Sequence, residues 1–335
     1  MHESMTTKPT TIADLARIAG VSKSTVSRAL NGSALIGVET RERIQALAGE
    51  HGFQMNAAAQ RLSRGQSRVV GLNAKGKPDM FMLEMMSGIT SGLHELGYEL
   101  LVLQGDFDEP GWARGYVDSG RADGFVLLSA ACTPKQISLL VESGVPFVLW
   151  GASSPKNEYS SVTGDSLTGG RIAAAHLLEI GRRHLAFVGG PTWAREVAER
   201  LEGFTEAHRL AGLEPDLAAI VHLPWSDAEA GAARAVQELL GRRPEIDGVV
   251  ANSDRFAIGV MEGVRAAGKR VPEDVAVVGY DDIAIAAYTN PPLTTIRQDG
   301  PLAGRLLART LVQRLETGAV TAVSIPAELI VRESA

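Results

Sequence analysis

The chain has 335 residues, 45% of them hydrophobic and 21% charged, and a formal net charge of −6. That length allows roughly two or three domains with sizeable cores, and the composition is that of an ordinary soluble protein rather than a disordered one. No apolar run is long enough to cross a bilayer, and MHESMTTKPTT has no apolar stretch of the kind an export signal needs, so no membrane partner and no signal peptide are expected. A lone cysteine, Cys132, excludes an intrachain disulfide framework and fits a reducing cytoplasm. The histidines lack CxxC or HExxH spacing, so neither a metal nor any other cofactor is expected.

Charge is unevenly placed. Residues 1–68 carry nine Lys/Arg against five Asp/Glu, a balance of +4, which leaves −10 for the rest. A small basic head on a large acidic body points to nucleic acid at the head.

In chain order, TTIADLARIAG predicts a helix capped by Thr11, with Asp14 favourably placed in its first turn. Ile12, Leu15, Ala16 and Ala19 share one face, and Gly20 suits the left-handed stop. Ser22 caps a second helix, Lys23 to Leu30, on which Val26, Ala29 and Leu30 fall on one side and Ser24, Ser27 and Arg28 on the other. Lys23 and Thr25 lie at the borders, and the polar face holds no acid. A third helix, VETRERIQALAGEHG, stops near Gly52. Two helices joined by a short Gly-containing turn predict a helix-turn-helix whose second helix enters the major groove. There an arginine can grip guanine with two hydrogen bonds, and hydroxyls can meet bases or phosphates.

TIADLARIAGVSKSTVSRALNG resembles the DNA-binding head of the LacI/GalR family of bacterial transcription regulators, whose signature runs VA..AGVS..TVSR.LN; Leu15 replaces the usual valine. The resemblance implies that Lys23 and Ser24 choose the operator, while Thr25, Ser27 and Arg28 contact phosphates and bases. It extends the DNA-binding set to Thr11, Ser22, Asn31 and Asn56. The segment Asn56–Ser67 then corresponds to a hinge helix, with Leu62 as the wedge that kinks the minor groove and Met55 in place of a usual proline. The implied division is a head over 1–55, a hinge over 56–68 and an effector-binding and dimerisation domain over 69–335.

From Val69 onward, strand candidates (RVVGLNA, ELLVLQGD, DGFVLLS, PFVLWG, HLAFVGG, AIVHLP, DGVVANS, VAVVGYDD) alternate with helical stretches. This predicts an α/β body of two doubly wound subdomains with a ligand cleft at the carboxyl ends of the strands. Enzyme motifs fail: GLNAKGKP has Pro78 where a P-loop needs a hydroxyl, GxGxxG and GxSxG are absent, and neither His176 nor His184 has a partner acid at triad spacing. The chain therefore does not read as an enzyme.

The family resemblance covers the body too, as a type I periplasmic-binding-protein-like domain. Its first subdomain would span about 69–164 and 295–325, and its second about 165–294. By this resemblance the effector set is Phe81, Asp165, Arg200, Trp225, Ser253, Asp254, Asp281 and Gln298, with Asp281 facing Arg200 from the opposite lobe. Trp225 also reads as a core aromatic, and Asp254 as the cap of the following helix. Departures lie in DMFM (Asp79–Met82) for NPFF, and in GASS, which lacks a charged group after Trp150. The implied partners are a pseudo-palindromic operator duplex, a second copy of the chain and a small effector. An arginine, an aspartate and a tryptophan suit a sugar or short oligosaccharide; a purine is the alternative, and a solute-binding protein without a regulatory role is the runner-up class.

Overall fold

The structure, a computed structural model, describes residues 11–30, 33, 35–53, 66–74, 79–104, 107, 109, 111–128, 132–154, 156 and 158–335. Asn31, Met55, Asn56 and Leu62 lie outside the described residues, as does most of the expected hinge segment. The chain divides into two units, Met1–Gln66 and Ser67–Ala335.

In the first unit, α1 (Ile12–Ala19), α2 (Lys23–Leu30) and α3 (Val38–Glu50) close around Leu15, Ala16, Ala19, Val26, Ala29, Ile44 and Ala48. Thr11 and Asp14 form a reciprocal capping box, and Gly20, at φ +65°, ends α1 in the left-handed conformation. The Arg43 guanidinium donates to the Ala19 carbonyl at 3.0 Å and ties α3 to the end of α1.

In the second unit, two six-stranded sheets carry the chain. The first has the order β11-β5-β4-β3-β1-β2, from β1 (Val69–Asn73), β2 (Glu99–Leu103), β3 (Gly124–Leu128), β4 (Phe147–Trp150), β5 (Ser160–Gly164) and β11 (Ala322–Ile325), all parallel. The second has the order β12-β10-β9-β8-β6-β7, from β6 (Leu185–Gly189), β7 (Ile220–His222), β8 (Gly248–Ala251), β9 (Ala276–Asp281), β10 (Thr294–Arg297) and β12 (Glu328–Ile330). Only β12 runs antiparallel. Helices α4 (Met80–Glu95), α5 (Trp112–Asp118), α6 (Pro134–Ser143) and α11 (Gly300–Thr317) cover the first sheet. Helices α7 (Ser166–Glu179), α8 (Arg195–Leu210), α9 (Ala228–Arg242) and α10 (Asp254–Ala266) cover the second. Each lobe therefore has an apolar layer on both faces of its sheet, as the βα alternation requires.

The chain passes between lobes after β5, after β10 and after β11. The second passage departs from the expected boundary at 294. Thr294–Arg297 stays in the second sheet because it pairs in register with Val278–Asp281, and the chain leaves only after Arg297. The third, which returns β12 to the second sheet, has no counterpart in the sequence reading.

Two contacts bring α7 and α8 to backbone distance. A Cβ on Gly170 would lie 2.1 Å from the Arg200 carbonyl, and one on Gly203 would lie 2.1 Å from the Leu167 carbonyl. These glycines set the height at which α8 holds Arg200.

Candidate DNA-reading face and effector cleft

On α2 the apolar side faces the head's core through Val26 and Ala29, while Lys23, Ser24 and Arg28 are exposed and Thr25 and Ser27 half-buried. The Ser22 hydroxyl accepts the Thr25 N–H at 3.1 Å and lies 2.8 Å from the hydroxyls of both Ser24 and Thr25. Ser22 is therefore the cap that starts the helix, as Thr11 is for α1. What remains outward is a short acid-free face with two cations and a cluster of hydroxyls. Such a face approaches phosphates without repulsion and suits base edges in a major groove.

In the body, the expected effector residues cluster at the carboxyl ends of strands, where open α/β sheets bind ligands. Arg200, 5% exposed, lies over Tyr280 with its guanidinium carbon 3.6 Å from the ring centre. Its Nη1 donates to the Asn252 carbonyl at 2.5 Å, and its Nε has no partner among the described residues. Asp281 ends β9 at φ +110°, a conformation that costs a non-glycine residue strain and persists where the surroundings hold it. Gln298 does part of that holding: its amide donates to Asp281 Oδ1 at 2.8 Å, and its own side chain is seated against Gly164, where a Cβ would leave no room. Burial pushes the Asp281 carboxyl well up, and the nearby Arg200 charge opposes that.

The structure corrects the placement of Asp281. It belongs to the second sheet, the same lobe as Arg200, and no ion pair joins the two; Arg200 is engaged by Tyr280 and Asn252 instead. Trp225 packs between both faces of the second lobe, 5.9 Å from Phe256, and lies so close to Gly190 that a Cβ there would meet the indole at 2.6 Å. It is thus partly a core aromatic, but its Nε1 has no partner among the described residues. Asp165 and Ser253 cap α7 and α10.

Asp254 needs the larger correction. It does not cap α10, whose cap is Ser253, and it is fully buried with both carboxyl oxygens engaged inside the second lobe. One oxygen accepts the Thr295 hydroxyl at 2.6 Å and the other the Ile283 N–H at 2.8 Å, so it braces β10 and the turn after β9. Burial raises its pKa to about 7.

Phe81 enters from the first lobe, 5.8 Å from Trp150, and packs against apolar clusters of both lobes. Beside it, the departure from the family motif has a visible role. Asp79 caps α4 and comes within 3.9 Å of Arg255 of the second lobe, which is itself gripped by Glu229. Sequence reasoning missed Asn252. It is 1% exposed, and neither atom of its amide has a partner among the described residues. Buried polar groups are normally satisfied, so Asn252, Arg200 Nε and Trp225 Nε1 make a set of unmet hydrogen-bonding groups in one part of the second lobe.

A helix-turn-helix with an acid-free outward helix, followed by a two-lobed α/β domain with unmet polar groups in its second lobe, defines the class of ligand-responsive DNA-binding regulators. Residues 11–56 match the family model described as bacterial regulatory proteins, lacI family, and residues 174–335 the periplasmic binding protein-like domain. The transcriptional regulator CelR of Thermobifida fusca is 36% identical over 97% of this chain and 98% of its own. The ribose operon repressor of Escherichia coli K12 is 30% identical over 91% and 93%. Among solved structures, the CelR–cellobiose complex superimposes with a TM-score of 0.74 at 32% identity, covering 97% of this chain and 100% of that one. A lac repressor dimer bound to operator shares the fold, with a TM-score of 0.83 over 98% and 99%. The chain belongs to the LacI family of bacterial transcriptional regulators. No helix among the described residues is long and apolar enough to cross a membrane.

Proposed function

We propose that the protein is a cytoplasmic, homodimeric repressor that binds a pseudo-palindromic operator through α2 and responds to a sugar held in the body's cleft. Its domains follow the division at 55 and 68, with Leu62 of the intervening segment as the minor-groove wedge. The observation that carries the effector reading is the set of unmet polar groups, Arg200 Nε, Trp225 Nε1 and the Asn252 amide, in the lobe that also holds the Asp281 carboxylate. Guanidinium and amide donors, a carboxylate acceptor and an indole face match the paired hydroxyls and apolar face of a pyranose. The names of relatives support the same class, since CelR is solved with cellobiose and another relative is a ribose operon repressor. Ligand and operator affinities are then coupled reciprocally, by about 1–3 kcal/mol in typical cases.

Calorimetry with glucose, ribose, cellobiose, maltose, hypoxanthine and guanine tests this on the parent, Arg200→Ala and Asp281→Asn. The expected outcome is saccharide binding that both variants weaken at least about tenfold, or ~1.4 kcal/mol. Binding of a purine alone, or variants that bind the saccharide as tightly as the parent, refutes the assignment.

A further inference from the structure

Both lobes enclose a groove of about 440 Å³ that none of the cleft residues above lines. The first lobe contributes the start of α6, including Ser138, and the segment after β4, including Tyr159; the second contributes Trp193 and Arg195 from the turn into α8. These segments leave the carboxyl ends of β3, β4 and β6, so the groove opens on the same rim as the cleft. Arg195 begins the helix that carries Arg200 one and a half turns later.

Three features indicate what the groove takes. Trp193 keeps 46% of its surface exposed, while its neighbour Ala194 is buried at 1%, so the backbone is anchored and the indole is presented at the rim. The lining is mixed in charge: Glu142 and Glu158 supply acceptors, and Lys156 and Arg195 supply donors. The two sides are already joined across the gap, because the Arg195 guanidinium donates to the Ser153 carbonyl at 3.2 Å. A phosphorylated ligand would meet two carboxylates, and a wholly apolar one would return nothing to Glu142, Glu158 and Lys156; Arg195 already pairs with Glu199 at 2.7 Å. A neutral ring with several hydroxyls and one apolar face satisfies the acceptors, the donors and the indole together.

We propose that this groove is a second saccharide subsite with Trp193 as its stacking platform, so that the effector is an oligosaccharide whose outer ring lies between the lobes. The proposal rests on the reading of the cleft as a sugar site and extends it to chain length. A ligand that touches both lobes favours one lobe arrangement over another.

The test is calorimetry on the full chain with glucose, cellobiose, cellotriose and maltotriose. The parent is expected to bind at least one di- or trisaccharide about tenfold or more tighter than glucose. In Trp193→Ala that advantage over glucose disappears. Ser138→Trp, which fills the groove from the other lobe, removes it as well. A parent that binds glucose and the longer saccharides equally overturns the groove and leaves the cleft reading intact. So does Trp193→Ala with the full length advantage retained, provided Arg200→Ala still loses binding. Absence of binding to every saccharide overturns both.

Discussion

Asp254→Asn isolates the cost of a buried charge. In the folded chain this carboxyl is fully buried, and burial lifts its pKa from about 3.8 to about 7. A carboxyl whose folded pKa is raised favours folding most when protonated. Its contribution is complete below the unfolded value near 3.8 and is lost as pH rises through the folded value near 7. At ~1.36 kcal/mol per unit, the shift corresponds to an upper bound of about 4 kcal/mol between pH 4 and pH 8. Asparagine keeps the shape: its carbonyl can accept the Ile283 N–H, and the Thr295 hydroxyl, which now donates to Asp254 Oδ1, can turn to accept from the new amide. The assay is urea unfolding of the parent and the variant at pH 5, 6, 7 and 8. The expected difference grows in the variant's favour with pH, reaching roughly 1–4 kcal/mol at pH 8. The Asp254 charge also pushes Asp281 up, so part of the difference belongs to the pair. A constant offset across this range, or a parent that gains on the variant as pH rises, would refute the reasoning.

Two further predictions concern the DNA face and the seating of Arg200. Arg28→Ala is expected to weaken operator binding by about 1–3 kcal/mol in a gel shift, and exchange of Lys23 and Ser24 to redirect the preferred site in a randomised-site selection; an unchanged preference would remove α2 as the reading helix. Gly170→Ala is expected to force α7 from the Arg200 backbone at a cost of about 1–3 kcal/mol in thermal unfolding, and to weaken the saccharide in the cleft. An unchanged melting temperature would show that the two helices do not need that approach.

The head is legible because its signals are local: Thr11 with Asp14, Gly20, and the spacing of Leu15, Ala16, Val26 and Ala29 lie within a few turns of one another. The apolar runs of β1, β3, β4, β6, β8 and β9 are legible for a different reason, since strands covered on both faces read as continuous hydrophobic stretches. β5 has the sequence SSVTG, and its Ser160 and Ser161 are buried between parallel neighbours, so burial there leaves no apolar signature. β10, with buried Thr294 and Thr295, fails in the same way, whereas β11 and β12 are three or four residues long and largely exposed or half-buried, too short to show a pattern. In the cleft, residue types were readable but orientations were not. Asp254 turns down because its partner Thr295 comes from a strand 41 residues away, and Asn252 carries no signal beyond its place one residue before Ser253.

The late strands β11 and β12 have a consequence for biosynthesis. The first sheet lacks its edge until residues 322–325 exist, and the second lacks β12 until 328–330. Ser334 adds a last stitch, taking the Thr294 N–H and donating to the Val277 carbonyl. The head's three helices, by contrast, draw their packing, among the described residues, from none later than Phe53. At roughly 5–20 residues per second on the ribosome, α2 is complete some tens of seconds before either lobe. On the nascent chain, the part that holds the operator precedes the part that answers to the effector, so the capacity to bind comes before the capacity to be controlled.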